Sequence, residues 1–373
     1  MKRESVLIVH QQLQGLERIG GAEAVCVWAI EALKDQYYVH LAVPHIGIMA
    51  SSADELNKQY GTNLKEGDFK LVEPKMWKLI RPLVSWSWIL HTFIYMRFIR
   101  KMSRQFDLLF STYNEFDFGQ RKAVQYLHFP MIEVATQSKV KNLIARFIGY
   151  NRYNVINNIS LTCSDWTRRF ITDTYQVLND IKVLYPPITA VNEVRSMKDR
   201  TQVVLFVGRI SPEKRIEECI EIIDKVRFSG FDIKLTIVGP RANKKYAEYI
   251  DDLVTNCPWV DIKSAMKHEE LLSLYNTNCF GINGTKDEQF GITIAEMVAN
   301  GVIVFVPNGG GQIEVVGEQQ QIFNKIDDAV AKICTVLSDE KLQADLHQGA
   351  IKRGKRFSSE QYKVRLRELF SQV

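Results

Sequence analysis

Two doubly wound α/β domains in tandem are the fold class this sequence predicts, and three observations predict it. Short β-branched runs recur along the chain, each followed by a helical pattern, as buried parallel strands alternating with helices require. The series is interrupted once, at Tyr185-Pro186-Pro187, a tripeptide that can continue neither a helix nor a central strand. Finally, 373 residues are about twice the ~100 to 200 of a single domain.

The first series reads VLIV at 6–9, VHLAV at 39–43, DLLFS at 107–111, VQYLH at 124–128 and SLTCS at 160–164. The second reads VVLFVG at 203–208, IKLTIVG at 233–239, WVDI at 259–262, CFGIN at 279–283 and VIVFV at 302–306. Each series suffices for one sheet with its own core. The opening MKRESVLIVH has only four consecutive apolar residues after its charges, so it reads as a first strand and not as a secretory leader. The polar stretch Asn192 to Gln202 follows the proline break, and the hinge is placed there. The expected division is 1–187, 188–357 and a closing helix in 358–373, with Tyr362, Leu366, Leu369 and Phe370 on one helical face.

Hydrophobic residues make up 46% and charged residues 24%, a globular balance that excludes wholesale disorder. The net charge of +5 is uneven. Residues 1–185 hold 23 Lys and Arg against 17 Asp and Glu, whereas 186–373 hold 25 against 26. A basic first half points to an anionic partner there, membrane or nucleic acid. Six scattered cysteines without a C-x-x-C pair fit a reducing cytosol and small buried hydrophobes.

The basic excess is concentrated. Pro74 to Phe106 contains no Asp or Glu but seven Lys or Arg, flanking the uncharged run Pro82 to Met96. That run is shorter than the ~20 residues needed to span a bilayer. Trp77, Trp86 and Trp88 beside Arg81, Arg97, Arg100 and Lys101 instead have the composition of a helix lying among lipid headgroups. Lys139 to Tyr153 is similar, with Val140, Leu143, Ile144, Phe147 and Ile148 on one helical face. The expectation is peripheral membrane docking by the first domain, weighed against two ordinary surface helices with a solvated basic rim. Nucleic acid is disfavoured because no recognition module accompanies the basic residues.

In the second domain, strand VVLFVG ends at Gly208, and Ser211-Pro212 offers an N-cap and first helical residue. Arg209, Lys214 and Arg215 crowd this helix start, where cations sit badly against the helix dipole unless an anion lies between them. Pairing with Glu213, Glu217 and Glu218 is the plainer alternative. A second constellation, NGTKDEQFGITIAEMVANG from 283 to 301, joins a strand end to a glycine turn and an apolar helix. Glu288 falls in the turn and Glu296 inside the helix, while the amides of Gly291, Ile292 and Thr293 suit a phosphate and a carboxylate suits a ribose diol. A third turn, PNGGGQIEVV from 307 to 316, sits near the same strand ends. Neither G-x-x-x-x-G-K-[ST] nor G-x-G-x-x-G occurs, and neither a D-x-D nor a tight His/Cys cluster suggests a catalytic metal.

GRISPEKR and EQFGITIAE, with Glu288 and Glu296 bracketing seven residues, closely resemble the donor-domain signature of glycosyltransferase family 4. In the first domain Gly20-Gly21-Ala22-Glu23 looks like the family's glycine loop, and Cys163-Ser164-Asp165-Trp166-Thr167 like its "NSxWT" segment. The resemblance implies a GT-B fold: two Rossmann-like doubly wound domains facing across a cleft, 1–187 binding the acceptor and 188–357 the nucleotide-sugar donor, with the last helix crossing back to the first domain. It further implies transfer with retention and without a metal or other cofactor, the nucleotide-diphosphate sugar being the donor substrate.

Carried over by this resemblance, Arg209 and Lys214 would hold the donor diphosphate and Glu288 would hydrogen-bond the transferred sugar. Gly21, Gly208, Gly239, Phe290, Gly291, Ile292, Thr293 and Glu296 would complete the donor site, Glu296 accepting from the ribose hydroxyls. His128, in Tyr126-Leu127-His128-Phe129-Pro130, matches the family's cleft histidine. The strings YLHFP and LYPPI are similar to mannosyltransferases that extend lipid-linked oligosaccharides, which makes GDP-mannose the first donor to consider. The sequence departs from the common pattern at Gln289, where many members have Pro, and at Ile294-Ala295. The leading expectation is therefore a hexosyltransferase, peripheral on the inner face of a membrane, with a lipid-linked or lipid acceptor. A soluble transferase with a small acceptor and a non-catalytic nucleotide-sugar-binding protein remain the alternatives.

Overall fold

A computed structural model describes residues 3–11, 21–44, 52–176 and 180–373. The chain divides into two compact units, Met1–Pro186 with Tyr362–Val373, and Pro187–Gln361.

The first unit carries seven parallel strands: β1 (Ser5–Val9), β2 (Tyr38–Ala42), β3 (Phe69–Val72), β4 (Leu108–Ser111), β5 (Val124–Leu127), β6 (Ile159–Thr162) and β7 (Ile181–Val183). They lie in the order β3-β2-β1-β4-β5-β6-β7. The five runs recognised from sequence are the central strands, almost wholly buried because helices cover both faces. β3 and β7 at the edges are short and partly exposed, so neither shows a continuous apolar run. The order in which strands are added reverses between β1 and β4, the place where doubly wound sheets open a crevice beyond their carboxyl ends.

The final helix, Ser359–Phe370, buries Tyr362, Leu366 and Phe370. Within the first unit, the Tyr362 hydroxyl donates to the Val25 carbonyl at 3.0 Å, and Arg367 donates to Ala32 at 2.6 Å. Both carbonyls belong to the helix Gly21–Leu33.

The second unit carries six parallel strands: β8 (Thr201–Val207), β9 (Lys234–Val238), β10 (Val260–Lys263), β11 (Asn278–Ile282), β12 (Ile303–Pro307) and β13 (Ile322–Phe323). Their order is β10-β9-β8-β11-β12-β13, with the reversal between β8 and β11. Its core is built from Val204, Phe206, Leu235, Ile237, Phe280 and Phe305 on the strands and Ile216, Ile220 and Ile223 on the helix Ile216–Phe228. β13, only two residues long, had no pattern by which to be recognised.

The acid-free segment departs from a single interfacial helix. It forms two, Trp77–Val84 and Trp88–Met102, separated by a turn in which Ser87 caps the second. Trp77 is corrected from a membrane residue to a core residue. It is 0% exposed, packs on Tyr95 and His91 with ring centroids 4.9 and 5.2 Å away, and donates its indole N–H to the Pro44 carbonyl at 2.9 Å. Arg100 is corrected likewise: its guanidinium is paired with the fully buried Asp117 and donates to the Gly149 carbonyl at 3.0 Å, so its charge is committed internally. Arg81 is half-buried and reaches the Pro44 carbonyl at 3.3 Å.

Leu79, Leu83 and Trp86 are 70%, 69% and 78% exposed, with Trp88 partly so and Arg97 and Lys101 exposed. The helix Lys139–Ile148 buries only Ala145 and leaves Val140, Leu143 and Phe147 outside, Phe147 being 90% exposed. The helix Trp88–Met102 packs against both of these amphipathic helices. No helix among the described residues is long and apolar enough to cross a membrane.

Candidate functional site

In the second unit, the turns that follow β8, β11 and β12 converge at the switch point. β8 runs into Gly208, whose carbonyl oxygen would lie 1.8 Å from any Cβ at Gly239, the residue after β9. Gly239 is thus the residue that lets two strand ends touch, and its amide donates to the Lys263 carbonyl at 3.1 Å. Beyond Gly208, Pro212–Lys214 forms a single 3-10 turn and Arg215 adopts a left-handed conformation (φ 49°) before the helix Ile216–Phe228 begins. The helix expected to start at Pro212 therefore starts four residues later. The Ile216 amide, in its first turn, donates to the Tyr246 hydroxyl at 2.8 Å.

That kinked turn directs Lys214 across the switch point. Its Nζ lies 2.7 Å from Glu288 Oε2, in the turn after β11, and both side chains are largely buried. Arg209 pairs with Glu213 at 3.3 Å, both well exposed, and Arg215 pairs with Glu218. The plainer alternative thus accounts for Arg209 and Arg215 but not for Lys214. An exposed pair such as Arg209 with Glu213 contributes little, roughly 0–1 kcal/mol, so an entering anion can take over the guanidinium.

Three glycines hold Glu288 in place. A Cβ on Gly284 would lie 2.7 Å from the carbonyl oxygens of both Lys214 and Arg215, so the β11 turn rests directly on the β8 turn. Gly310 (φ 77°) sits against Glu288 itself, where a Cβ would come within 2.3 Å of its carbonyl oxygen, and the adjacent Gly311 amide donates to that oxygen at 2.7 Å. Gly291 (φ 86°) turns the chain into the helix Ile292–Ala299, and a Cβ there would lie 2.7 Å from Ile294 Cδ1. Gln312 then ties the turns together. It donates to the carbonyls of Thr285 (2.8 Å) and Gly309 (3.0 Å) and accepts from Asn283 Nδ2 (2.6 Å). Gly284, Gly310 and Gln312 lie inside motifs the sequence displays, but their close approaches are tertiary and no local pattern marks them.

The helix Ile292–Ala299 presents first-turn amides, Ile292 and Thr293 among them, that have no intrahelical acceptor. Phe290 is a buried anchor, edge-on to Phe357 at 5.4 Å. Glu296 lies on this helix with Tyr275 Oη 3.4 Å from its Oε2, and burial pushes its carboxyl up to about 7. Among the described residues no group of His, Cys, Asp and Glu converges to hold a metal ion.

His128, in the first unit, follows β5 at the carboxyl side of the sheet. Asn114, itself left-handed (φ 58°), accepts from the amides of both His128 and Phe129 at 2.8 Å and so fixes the turn. Nε2 is 3.2 Å from the Thr112 carbonyl, which only accepts, so Nε2 carries the proton and donates. Burial pushes the imidazole down to about 4, keeping it neutral near pH 7. Gly21 opens the helix Gly21–Leu33, while Gly20 lies outside the described residues. Ser164 of the CSDWT segment is a helix cap, accepting from the Thr167 amide at 3.0 Å.

Residues 190–353 match the family described as glycosyl transferases group 1. The chain is similar to the GDP-Man:Man(3)GlcNAc(2)-PP-Dol alpha-1,2-mannosyltransferase of Kluyveromyces lactis, 25% identical over 219 residues that are 50% of this chain and 38% of that protein. It is 23% identical to the human protein of the same name, over 64% of this chain and 58% of the relative. The chain therefore spans less than two thirds of the length of these relatives. Among solved structures it is similar to Anabaena HepE in complex with UDP-glucose (TM-score 0.70, 16% identity, 99% of this chain and 100% of that one). It is also similar to sucrose-phosphate synthase of Thermosynechococcus elongatus (TM-score 0.70, 14% identity, 99% and 98%). The chain has the GT-B fold, and the family match falls within its second unit.

Proposed function

We propose that this chain is a retaining, metal-independent hexosyltransferase that moves a sugar, mannose before others, from a nucleotide diphosphate to a lipid-linked or lipid acceptor at the cytosolic face of a membrane. The observation that carries this reading is the Lys214–Glu288 pair, 2.7 Å apart at the β8/β11 switch point and enclosed by three glycine turns. An ammonium, first-turn helix amides and a guanidinium in a weak exposed pair suit a diphosphate, and the charge that grows on it as it leaves is stabilised by the same groups. Glu288, held at its carbonyl by Gly311, offers its carboxylate to the sugar hydroxyls. Glu296 suits the ribose, since a carboxyl near 7 can accept or donate.

Support for mannose and a lipid-linked acceptor comes from the names of the relatives, which include GDP-Man and PP-Dol. HepE, in contrast, is seen with UDP-glucose, so the base and sugar must be read from this protein directly. A peripheral membrane position is supported by the exposed Leu79, Leu83, Trp86 and Phe147 beside Arg97 and Lys101.

The test is transfer of labelled sugar from GDP-mannose, UDP-glucose and ADP-glucose to an extract of lipid-linked oligosaccharides. One nucleotide sugar should serve, the new linkage should keep the donor's anomeric configuration by NMR, and chelators should leave the rate unchanged. No transfer and no binding from any of the three would overturn the reading.

A further inference from the structure

The break in the chain after Lys214 is imposed from another element of the second unit. In a helix running on from Pro212, the Ile216 amide would donate to the Pro212 carbonyl, four residues back. Instead the Arg215 amide takes that carbonyl at 3.1 Å, one residue early, and the Ile216 amide donates to the Tyr246 hydroxyl at 2.8 Å. The same hydroxyl donates to the Glu217 carboxylate, so it accepts from one residue and donates to the next at the start of the helix Ile216–Phe228. Tyr246 is 9% exposed, and burial, then Glu217, holds its proton on above the ordinary range.

Tyr246 is itself fixed. It stands in the first turn of the helix Lys244–Val254, where the cap residue Asn243 accepts from the Tyr246 amide at 3.0 Å. The turn carrying that cap is tied to the β8 turn by two main-chain bonds: the Asn243 amide donates to the Ile210 carbonyl at 3.2 Å, and the Ile210 amide to the Pro240 carbonyl at 2.9 Å. Arg215 has no such local support. It is left-handed (φ 49°), a conformation unfavourable for a residue with a Cβ, and no side chain of its own turn caps the helix that follows. A kink of this kind persists only where its surroundings impose it. Gly284 packs against the Lys214 and Arg215 carbonyls, and Tyr246 takes the amide that a straight helix would need. Lys214 is the residue just before the kink, and its ammonium is the one set 2.7 Å from Glu288.

We infer that Tyr246 is a positioning residue for Lys214: by taking the Ile216 amide it keeps the helix from starting at Pro212, holds the kink at Arg215 and so sets the Lys214 ammonium against Glu288. The inference rests on the reading of these turns as a diphosphate site. It adds to that site a residue that lies between β9 and β10, outside both of the motifs that carry Lys214 and Glu288.

The test uses Tyr246→Phe in the full chain, which removes the hydroxyl and keeps the ring, so the fold should survive with a somewhat lower melting temperature. Its first arm needs no nucleotide: acetylation of each lysine by acetic anhydride, read by mass spectrometry. Lys214 should label at least about fivefold faster than in the wild type, because a side chain released from a closed turn is open to the reagent. Lys332, also paired and mostly buried in the second unit, should label as before. Adding Arg215→Gly should bring Lys214 back to within about twofold of the wild-type rate, since glycine takes a positive φ unaided. A Lys214 rate that does not change, that rises only together with Lys332, or that stays high in the double variant overturns the inference. The second arm is calorimetric titration of GDP, UDP and ADP. The nucleotide that binds the wild type should bind Tyr246→Phe about tenfold more weakly, yet lose less than about twofold from the same change when Lys214 is already alanine, because both changes act through one ammonium. No loss in the single variant, or an equal loss in both backgrounds, overturns the inference and leaves the diphosphate site standing. If no nucleotide binds the wild type, the diphosphate reading fails and the labelling arm alone judges Tyr246.

Discussion

The two basic regions of this protein are built on opposite terms. Around the β8, β11 and β12 turns three cations each have a carboxylate facing them: Lys214 with Glu288, Arg209 with Glu213, Arg215 with Glu218. The geometry is held by glycines whose replacement would clash with main-chain oxygens. Around the helix Trp88–Met102, Arg97 and Lys101 make no ion pair among the described residues, while the neighbouring helices turn leucine and phenylalanine outward and the turn before Ser87 leaves Trp86 exposed. The first arrangement suits a small anion that exchanges with a carboxylate in a fixed frame. The second suits an extended anionic surface with apolar depth.

The sharpest contrast is between two tryptophans nine residues apart. Trp77→Ala empties a core position and should cost about 3–5 kcal/mol, whereas Trp86→Ala, 78% exposed, should stay within roughly 0.5 kcal/mol. Urea unfolding of both variants checks this, and equal costs would erase the distinction between core and surface aromatics. On the other side of the comparison, Gly310→Ala places a Cβ against the Glu288 main chain at a positive φ. It should cost about 1–3 kcal/mol of stability and lower transfer by about a hundredfold. A rate within threefold of wild type would mean that the turn does not position Glu288.

The surface is tested by replacing Leu83, Trp86 and Phe147 with Ser. Flotation with anionic vesicles should fall at least about tenfold while the melting temperature is unchanged, since these side chains are mostly exposed. Flotation that survives the triple change would leave those helices as ordinary solvated elements. The smallest effect concerns pH. The Glu296 carboxyl is raised by burial from 4.5 to about 7, so the folded protein holds a proton that the unfolded chain has released. Its contribution is full below about pH 4.5 and is lost as pH rises through 7. Glu296→Gln should therefore show a flatter decline in melting temperature between pH 5.5 and 8 than the wild type; parallel curves would contradict the shift.

Central strands were legible because burial on both faces writes a continuous apolar run, as in Val6 to Val9 or Ile303 to Val306. Edges β3 and β13 were not, since Phe69–Val72 interleaves Lys70 with half-exposed neighbours and Ile322–Phe323 is too short to show a period. At the site, Lys214, Glu288 and Gly291 stand in local motifs and could be read one by one. That Gly284 bears on Lys214, or Gly310 on Glu288, depends on which strands are neighbours, and the sequence alone does not display that order. The same limit explains Trp77. Its composition matches an interfacial residue, and only the packing of Tyr95 and His91 around it makes it core.

The most direct test of the diphosphate site is calorimetric titration of GDP, UDP and ADP into the wild type and Lys214→Ala. One nucleotide should bind the wild type at one site per chain, and Lys214→Ala, with an unchanged circular dichroism spectrum, should weaken it by about a hundredfold or more. Undiminished affinity in Lys214→Ala would place the nucleotide elsewhere and contradict the account.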